Sequence, residues 1–264
     1  MNTVRDFARF KAEGQKISIV TAYDAWSARL VARSRVDAVL VGDSAAMVMH
    51  GHDTTLAATV GLMAVHTRAV ARAAGGKFLI ADLPFLSFRK GIPAAMTAVG
   101  KLVASGAQAV KLEGVDGHED VIRQIVGSGV PVMGHIGLTP QSVNRFGGFR
   151  VQGKTDGEAA TLLRQAHSLE DLGCFSVVIE CVPSELASRI TSGLRVPTIG
   201  IGAGPGTDGQ VLVLHDLWGV DTSRTPRFVR RYVDGESVLA NALDRYDADV
   251  KQARFPGPEE SYLP

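Results

Sequence analysis

Five short apolar runs each end in an ionisable side chain. Asp43 follows Val39-Leu-Val-Gly, Asp82 follows Phe78-Leu-Ile-Ala, and Lys111 and Glu113 alternate in Val110-Lys-Leu-Glu. His135 closes Val132-Met-Gly-His, and Glu180 closes Val177-Val-Ile-Glu. Asp43, Asp82 and Glu113 make a hard-oxygen set suited to Mg2+ or a similar divalent ion. A metal held this way takes a bidentate oxygen ligand such as a 2-oxo acid, polarises its keto oxygen and acidifies the adjacent C–H. Lys111 then offsets the substrate carboxylate or the developing enolate oxygen. Glu180, on an apolar strand, has its pKa raised by desolvation and is the base that removes the proton. Any one of these residues alone also reads as a cap or a solvated loop residue, and for Asp24 and His215 both readings stay open. Together they favour a shared site, because a purely structural surface has no need of three acids and a lysine on apolar strands.

The elements that must position these residues are strands covered on both faces, since their runs are continuously apolar rather than alternating. Strands are predicted at 17–24, 38–44, 78–84, 109–114, 131–138, 176–183 and 197–204, with an eighth at 211–216. Helical periodicity lies between them. It is clearest at 59–74, where Leu62, Met63, His66, Ala69, Val70 and Ala73 share a face before Gly75-Gly76, and at 156–172 before Gly173. A further helix starts near Ala25. Repeated βα units over a chain of 264 residues give an α/β fold, a (β/α)8 TIM barrel, as one domain over 1–264. In that fold side chains at the C-terminal strand ends converge on one mouth. Between strands seven and eight only 205–210 remain, too few for a crossover helix, so either that helix is missing or 211–217 is itself helical. Helical pattern returns beyond Phe228, giving a C-terminal helical segment at about 226–252, and the tail from Phe255 reads as irregular.

Composition limits the alternatives. With 28 basic and 27 acidic side chains the net charge is +1, which supplies no general field for nucleic acid or anionic lipid. Two cysteines, Cys174 and Cys181, make no disulfide framework and fit a reduced cytoplasm. They offer no zinc-type Cys/His spacing either. No run approaches the roughly 20 apolar residues of a membrane span, and residues 1–15 lack the apolar core of a secretory signal.

Other motifs are weaker. Gly204-Pro-Gly206-Thr-Asp-Gly209 has the letters of a dinucleotide fingerprint but no following helix or ribose-binding acid. Gly200, Gly202 and Gly204 alternate along the seventh strand, where they either leave space for a ligand in the mouth or serve tight packing. His50 and His52 flank Gly51 and read as solvent or capping residues rather than a metal pair, and His66 reads as a core histidine.

Longer stretches carry a resemblance. Thr21-Ala-Tyr-Asp24, Val41-Gly-Asp-Ser44, Gly51-His-Asp-Thr-Thr55, Ala81-Asp-Leu-Pro-Phe85 and Val110-Lys-Leu-Glu-Gly114 recur in order. They are joined by Gly134-His-Ile-Gly-Leu-Thr-Pro-Gln141, Phe146-Gly-Gly-Phe-Arg-Val-Gln-Gly153, Ile179-Glu-Cys-Val-Pro183 and Ile199-Gly-Ile-Gly-Ala-Gly204. In these the chain resembles the ketopantoate hydroxymethyltransferase family, from about Thr3 to the Phe255-Pro-Gly-Pro tail. The resemblance implies a barrel of the phosphoenolpyruvate/pyruvate type. It implies transfer of a hydroxymethyl unit from 5,10-methylenetetrahydrofolate to 3-methyl-2-oxobutanoate, giving 2-dehydropantoate for pantothenate synthesis. Asp43 and Asp82 then match Mg2+ ligands, with Glu113 completing the site directly or through water. Ser44 and Lys111 match contacts to the keto acid, Glu180 matches the base at C3, and His135 lies near the one-carbon donor. The loop 139–153 closes over the site. The resemblance further implies a cytoplasmic homo-oligomer, commonly a decamer, with exchanged C-terminal helices. Departures are Ala57 in place of a frequent proline, Pro205-Gly206, and more divergent final helices.

Two other functions remain to be weighed. A Mg2+-dependent 2-oxo acid lyase or carboligase of the isocitrate-lyase type would carry a cysteine in a mobile loop, and none lies between Gly137 and Gly153. A non-catalytic keto-acid or folate binder would have no use for Glu180 as a base.

Overall fold

The computed structural model describes residues 3–220 and 225–262. They fall into two compact units, Met1–Val213 and Leu214–Pro264.

The first unit is a closed barrel of parallel strands: β1 (Ile17–Thr21), β2 (Ala38–Val41), β3 (Phe78–Asp82), β4 (Ala109–Glu113), β5 (Val132–Gly137), β6 (Ser176–Glu180), β7 (Thr198–Ile201) and β8 (Gly209–Leu212). β8 pairs back onto β1 and leaves no edge. The helices are α1 (Val4–Ala12), α2 (Ala25–Ala32), α3 (Ala45–Val48), α4 (Val60–Ala71), α5 (Ile92–Ala104), α6 (Glu119–Gly127), α7 (Val143–Phe146), α8 (Asp156–Asp171) and α9 (Ser184–Gly193). Their starts are written in the sequence. Asp24 accepts from the Ser27 N–H at the head of α2, Thr59 caps α4, and Thr155 and Glu158 form a reciprocal capping box on α8. Asp24 is therefore a cap.

Alternate strand residues decide what fills the barrel. Ile17, Ile19, Ala38, Leu40, Phe78, Ile80, Ala109, Met133, Val178, Ile199 and Val211 form one buried cluster, and Phe7 and Phe10 of α1 join it. Phe7 stacks edge-on against Phe78 and Phe175, at 5.6 and 5.1 Å between centroids, next to the N-terminal ends of β3 and β6. A buried phenylalanine contributes about 1.5–3 kcal/mol, so α1 seals the end opposite the mouth. Two residues further along the same inward faces, the side chains turn polar: Asp82 after Ile80, Lys111 after Ala109, His135 after Met133, and Glu180 after Val178.

The last βα unit differs from the expected one. Strand eight was expected at 211–216, yet β8 occupies Gly209–Leu212 and the chain is already helical from Leu214. An apolar run such as Val-Leu-Val-Leu does not tell strand from helix by period. The close fit of Gly209 against β1, where a Cβ would lie 2.4 Å from the Ile17 carbonyl oxygen, sets where pairing begins. No crossover helix joins β7 to β8 among the described residues. Strand seven is also shorter than expected, so Gly202 and Gly204 lie beyond it. A Cβ at Gly200 would lie 2.6 Å from Thr207 Oγ1, and one at Gly204 2.1 Å from Ser184 Oγ. These two glycines serve tight packing and do not clear space for a ligand.

The second unit contains α10 (Leu214–Trp218), α11 (Gly235–Lys251) and a single 3-10 turn at Pro258–Glu260. The C-terminal helix thus begins at Gly235, where Asp234 caps it, rather than near 226. Along α11, Leu239, Leu243, Tyr246 and Val250 are exposed at helical spacing. Among the described residues, no helix is long and apolar enough to cross a membrane.

Candidate active site

Register brings the polar layer together. Asp82 pairs with Lys111 across β3 and β4, Glu113 with His135 across β4 and β5, and Gly137 with Glu180 across β5 and β6. Asp43 and Ser44 lie in the turn from β2 into α3. All the residues expected from the sequence, Asp43, Ser44, Asp82, Lys111, Glu113, His135 and Glu180, therefore belong to one end of one barrel.

The contacts form a chain. The Asp43 N–H donates to Asp82 Oδ2 at 3.0 Å. Lys111 Nζ lies 2.9 Å from Asp82 Oδ1, a close charge contact without an aligned hydrogen bond. Lys111 also stands 3.4 Å from His135 Nδ1. An ammonium only donates, so Nδ1 accepts and the ring proton is assigned to Nε2. That Nε2 lies 3.2 Å from Glu180 Oε2, again a close contact without an aligned hydrogen bond.

Burial sets the protonation states. Asp43 is pushed up to about 7 by burial, with the neighbouring Asp82 charge adding to it and Lys111 opposing. Glu113 is raised well above the usual carboxylate range by burial and then by Asp43. Burial pushes Glu180 up to about 8, against the pull of Lys111. His135 is held well below its ordinary value by burial and by Lys111, so it is neutral. Burial would also discharge Lys111, but Asp82, Glu113 and Asp43 outweigh it and keep the ammonium charged.

Two participants escaped the sequence reading. Gln141, in the turn after β5, donates its side-chain amide to Asp43 Oδ2 at 2.8 Å and to the Leu83 carbonyl at 3.0 Å. Its backbone N–H donates to Glu113 Oε2 at 2.9 Å. Tyr23, fully buried, meets Ser44 Oγ through its hydroxyl at 2.8 Å. Both occur in the quoted sequence stretches, but neither has a charge or a period that marks it. The first turns of the loop 139–153 insert Gln141 among the acids. His66 is a buried core histidine whose Nδ1 meets the Tyr23 carbonyl at 2.6 Å and whose Nε2 meets His50 Nε2 at 2.8 Å.

The donor set fits a hard divalent ion. Asp82 Oδ1 and Gln141 Oε1 are buried without aligned hydrogen bonds, and the crowding of like charges that raises Asp43 and Glu113 is what a cation relieves. Among the described residues no three His, Cys, Asp or Glu side chains form a ready metal cluster. Gln141 donates to both Asp43 and Glu113 and so bridges these two acids.

A closed parallel barrel with acids, a lysine and a neutral histidine at the C-terminal strand ends defines a (β/α)8 barrel whose polar mouth lies where active sites of this fold sit. Its fold matches that of a phosphonopyruvate hydrolase solved with oxalate and Mg++, with a TM-score of 0.68 at 12% identity over 98% of this chain and 93% of the other. It also matches 2,3-dimethylmalate lyase, a PEP mutase/isocitrate lyase superfamily member, with a TM-score of 0.62 at 17% identity over 100% and 92%. The family model for ketopantoate hydroxymethyltransferase covers residues 1–258. A 3-methyl-2-oxobutanoate hydroxymethyltransferase of Bdellovibrio bacteriovorus is 55% identical over 99% of this chain and 100% of its own length. The chain belongs to the ketopantoate hydroxymethyltransferase family and is an enzyme of the hydroxymethyltransferase class.

Proposed function

We propose that the barrel mouth transfers a hydroxymethyl group from 5,10-methylenetetrahydrofolate to 3-methyl-2-oxobutanoate, giving 2-dehydropantoate for pantothenate and hence coenzyme A synthesis. The observation that carries this reading is Glu180, a carboxylate raised by burial at the mouth and backed by a neutral histidine and a charged lysine. Glu180 takes the proton from C3 of the keto acid. Lys111 offsets the negative charge that develops on the keto oxygen, and Ser44 contacts the keto acid from the neighbouring strand end. C3 then bonds to the donor's one-carbon unit, both methylene–nitrogen bonds break, water supplies the hydroxyl, and the two folate nitrogens take up the proton removed from C3 and the one released by that water. His135, neutral and next to Glu180, faces the donor. Asp43 and Asp82 would hold a Mg2+ ion, with Glu113 reaching it through water; bound there, the ion supplies Lewis-acid polarisation of the keto acid.

All these residues fall within the barrel unit, so the chemistry needs no second domain. The exposed apolar row on α11 supports a homo-oligomer built through the C-terminal helices, a decamer by the resemblance. The two free cysteines support a reducing, cytoplasmic compartment. A lyase of the isocitrate-lyase type is disfavoured, because the loop after β5 carries Gln141 among the acids and no cysteine.

Turnover of methylenetetrahydrofolate with 3-methyl-2-oxobutanoate is the direct test, and its absence sinks the reading. Calorimetry tests the metal separately. Keto-acid binding should need Mg2+ and weaken in Asp43→Ala and Asp82→Ala; equal binding in chelator refutes the chelate.

A further inference from the structure

Beside the site lies a cavity of about 400 Å³, walled by the turn after β4, the loop 139–153 and the first turns of α8. Gly114, next to Glu113, and Gly137, two residues past His135, line its inner end. Arg89 and Arg145 line it too. Arg89 donates to the Glu113 carbonyl oxygen at 2.9 Å, which ties it to the site. Arg145 has no ion pair or hydrogen bond among the described residues. The acids of the cavity are already engaged. Asp116 takes a two-pronged contact from Arg164, at 2.8 and 3.0 Å, and another from Gln165 at 2.7 Å. Glu158 accepts the Lys154 and Thr155 N–H groups in its capping box. Burial pushes Arg89 below its ordinary value; the Glu113 charge opposes this, and Arg145 adds to it, as expected of two guanidinium groups that share a concave space.

Neither guanidinium has a side-chain ion pair, Arg89 feeling Glu113 only at longer range, and a guanidinium pairs best with carboxylate or phosphate, so the two call for an anionic ligand. The volume suits more than a simple anion. A ligand filling it extends from one residue past Glu113 outwards, while the keto acid's charge is met at Lys111. The occupant is then the other reactant. Building on the donor assigned above, we propose that this cavity binds the carboxylate-bearing glutamyl tail of the reduced folate, with Arg145 and Arg89 as its anion contacts.

The test compares two one-carbon donors, methylenetetrahydrofolate and its analogue without the glutamate, methylenetetrahydropteroate, by the ratio of their kcat/KM values. The native enzyme should prefer the glutamyl donor. Arg145→Ala should reduce that preference about tenfold, the scale of one charge-assisted contact, and Arg145→Lys should restore part of it. Thr161→Glu, which adds a negative charge on the α8 wall of the same cavity, should lower the preference in the same direction. A preference retained in Arg145→Ala, or kcat/KM falling equally for both donors, overturns the tail site. No turnover by the native enzyme with either donor overturns the proposed reaction and the tail site with it.

Discussion

Glu180 Oε2 stands 3.2 Å from His135 Nε2, with the two side chains on adjacent strands. Because Lys111 holds Nδ1 as an acceptor, the ring proton is on Nε2, beside the carboxylate but not aligned for a hydrogen bond. The histidine stays neutral and does not protonate the base. That contact leaves Glu180 dependent on solvent pH for its charge.

The proton-abstraction step should therefore follow the titration of Glu180 near pH 8. Deuterium exchange at C3 of 3-methyl-2-oxobutanoate in D2O, with Mg2+ and without folate, should rise with pH up to about 8 and then level. Glu180→Gln should lower it by about 100-fold or more while keto-acid binding is retained; unchanged exchange would refute the assignment of the base.

The same group sets a stability trend. Its folded pKa lies above its ordinary value of 4.5, so the unfolded chain releases the proton first, and stability falls as pH rises from about 4.5 to 8. Glu180→Gln removes this loss. Thermal melts should show the variant gaining on the native protein at pH 8 and converging with it near pH 5.

Lys111 is 5% exposed among Asp82, Glu113 and Asp43. Lys111→Met leaves those carboxylates without their cation, and breaking a buried pair in this way costs about 3–5 kcal/mol. The loss should be largest above pH 7, where Asp43 ionises in the native protein. Urea titrations at pH 5.5 and 8 measure the difference, and an equal loss at both would contradict the electrostatic account.

Gln141 joins acids from two strands, so it should matter more than its loop position implies. Gln141→Leu keeps the volume but removes the amide that Asp43 accepts, at about 1.5–3 kcal/mol for a hydrogen bond to a charged group. Melting temperature and keto-acid affinity should both fall. A variant that lost neither would show that the amide is dispensable.

Tyr23 and Ser44 form a pair that a double-mutant cycle can isolate. Tyr23→Phe and Ser44→Ala should each raise the keto-acid KM, and the double variant should be little worse than Ser44→Ala alone. Additive effects would mean that the tyrosine acts elsewhere.

The βα rhythm and the polar endings of the apolar runs specified the barrel and most of its mouth, because a doubly covered strand must be apolar until it reaches the site. Asp43, Asp82, Lys111, Glu113, His135 and Glu180 were legible for that reason. The end of the barrel was not: four apolar residues at 211–214 satisfy strand and helix alike, and the close approach of Gly209 to Ile17 decides the register. Gln141 and Tyr23 were also out of reach, since an uncharged side chain acquires its role only from what folding sets within about 3 Å of it. Tertiary structure likewise decided how the acids differ from one another. Three carboxylates in sequence are interchangeable oxygen donors, but once Gln141 enters between Asp43 and Glu113 and Lys111 meets Asp82, they are no longer equivalent.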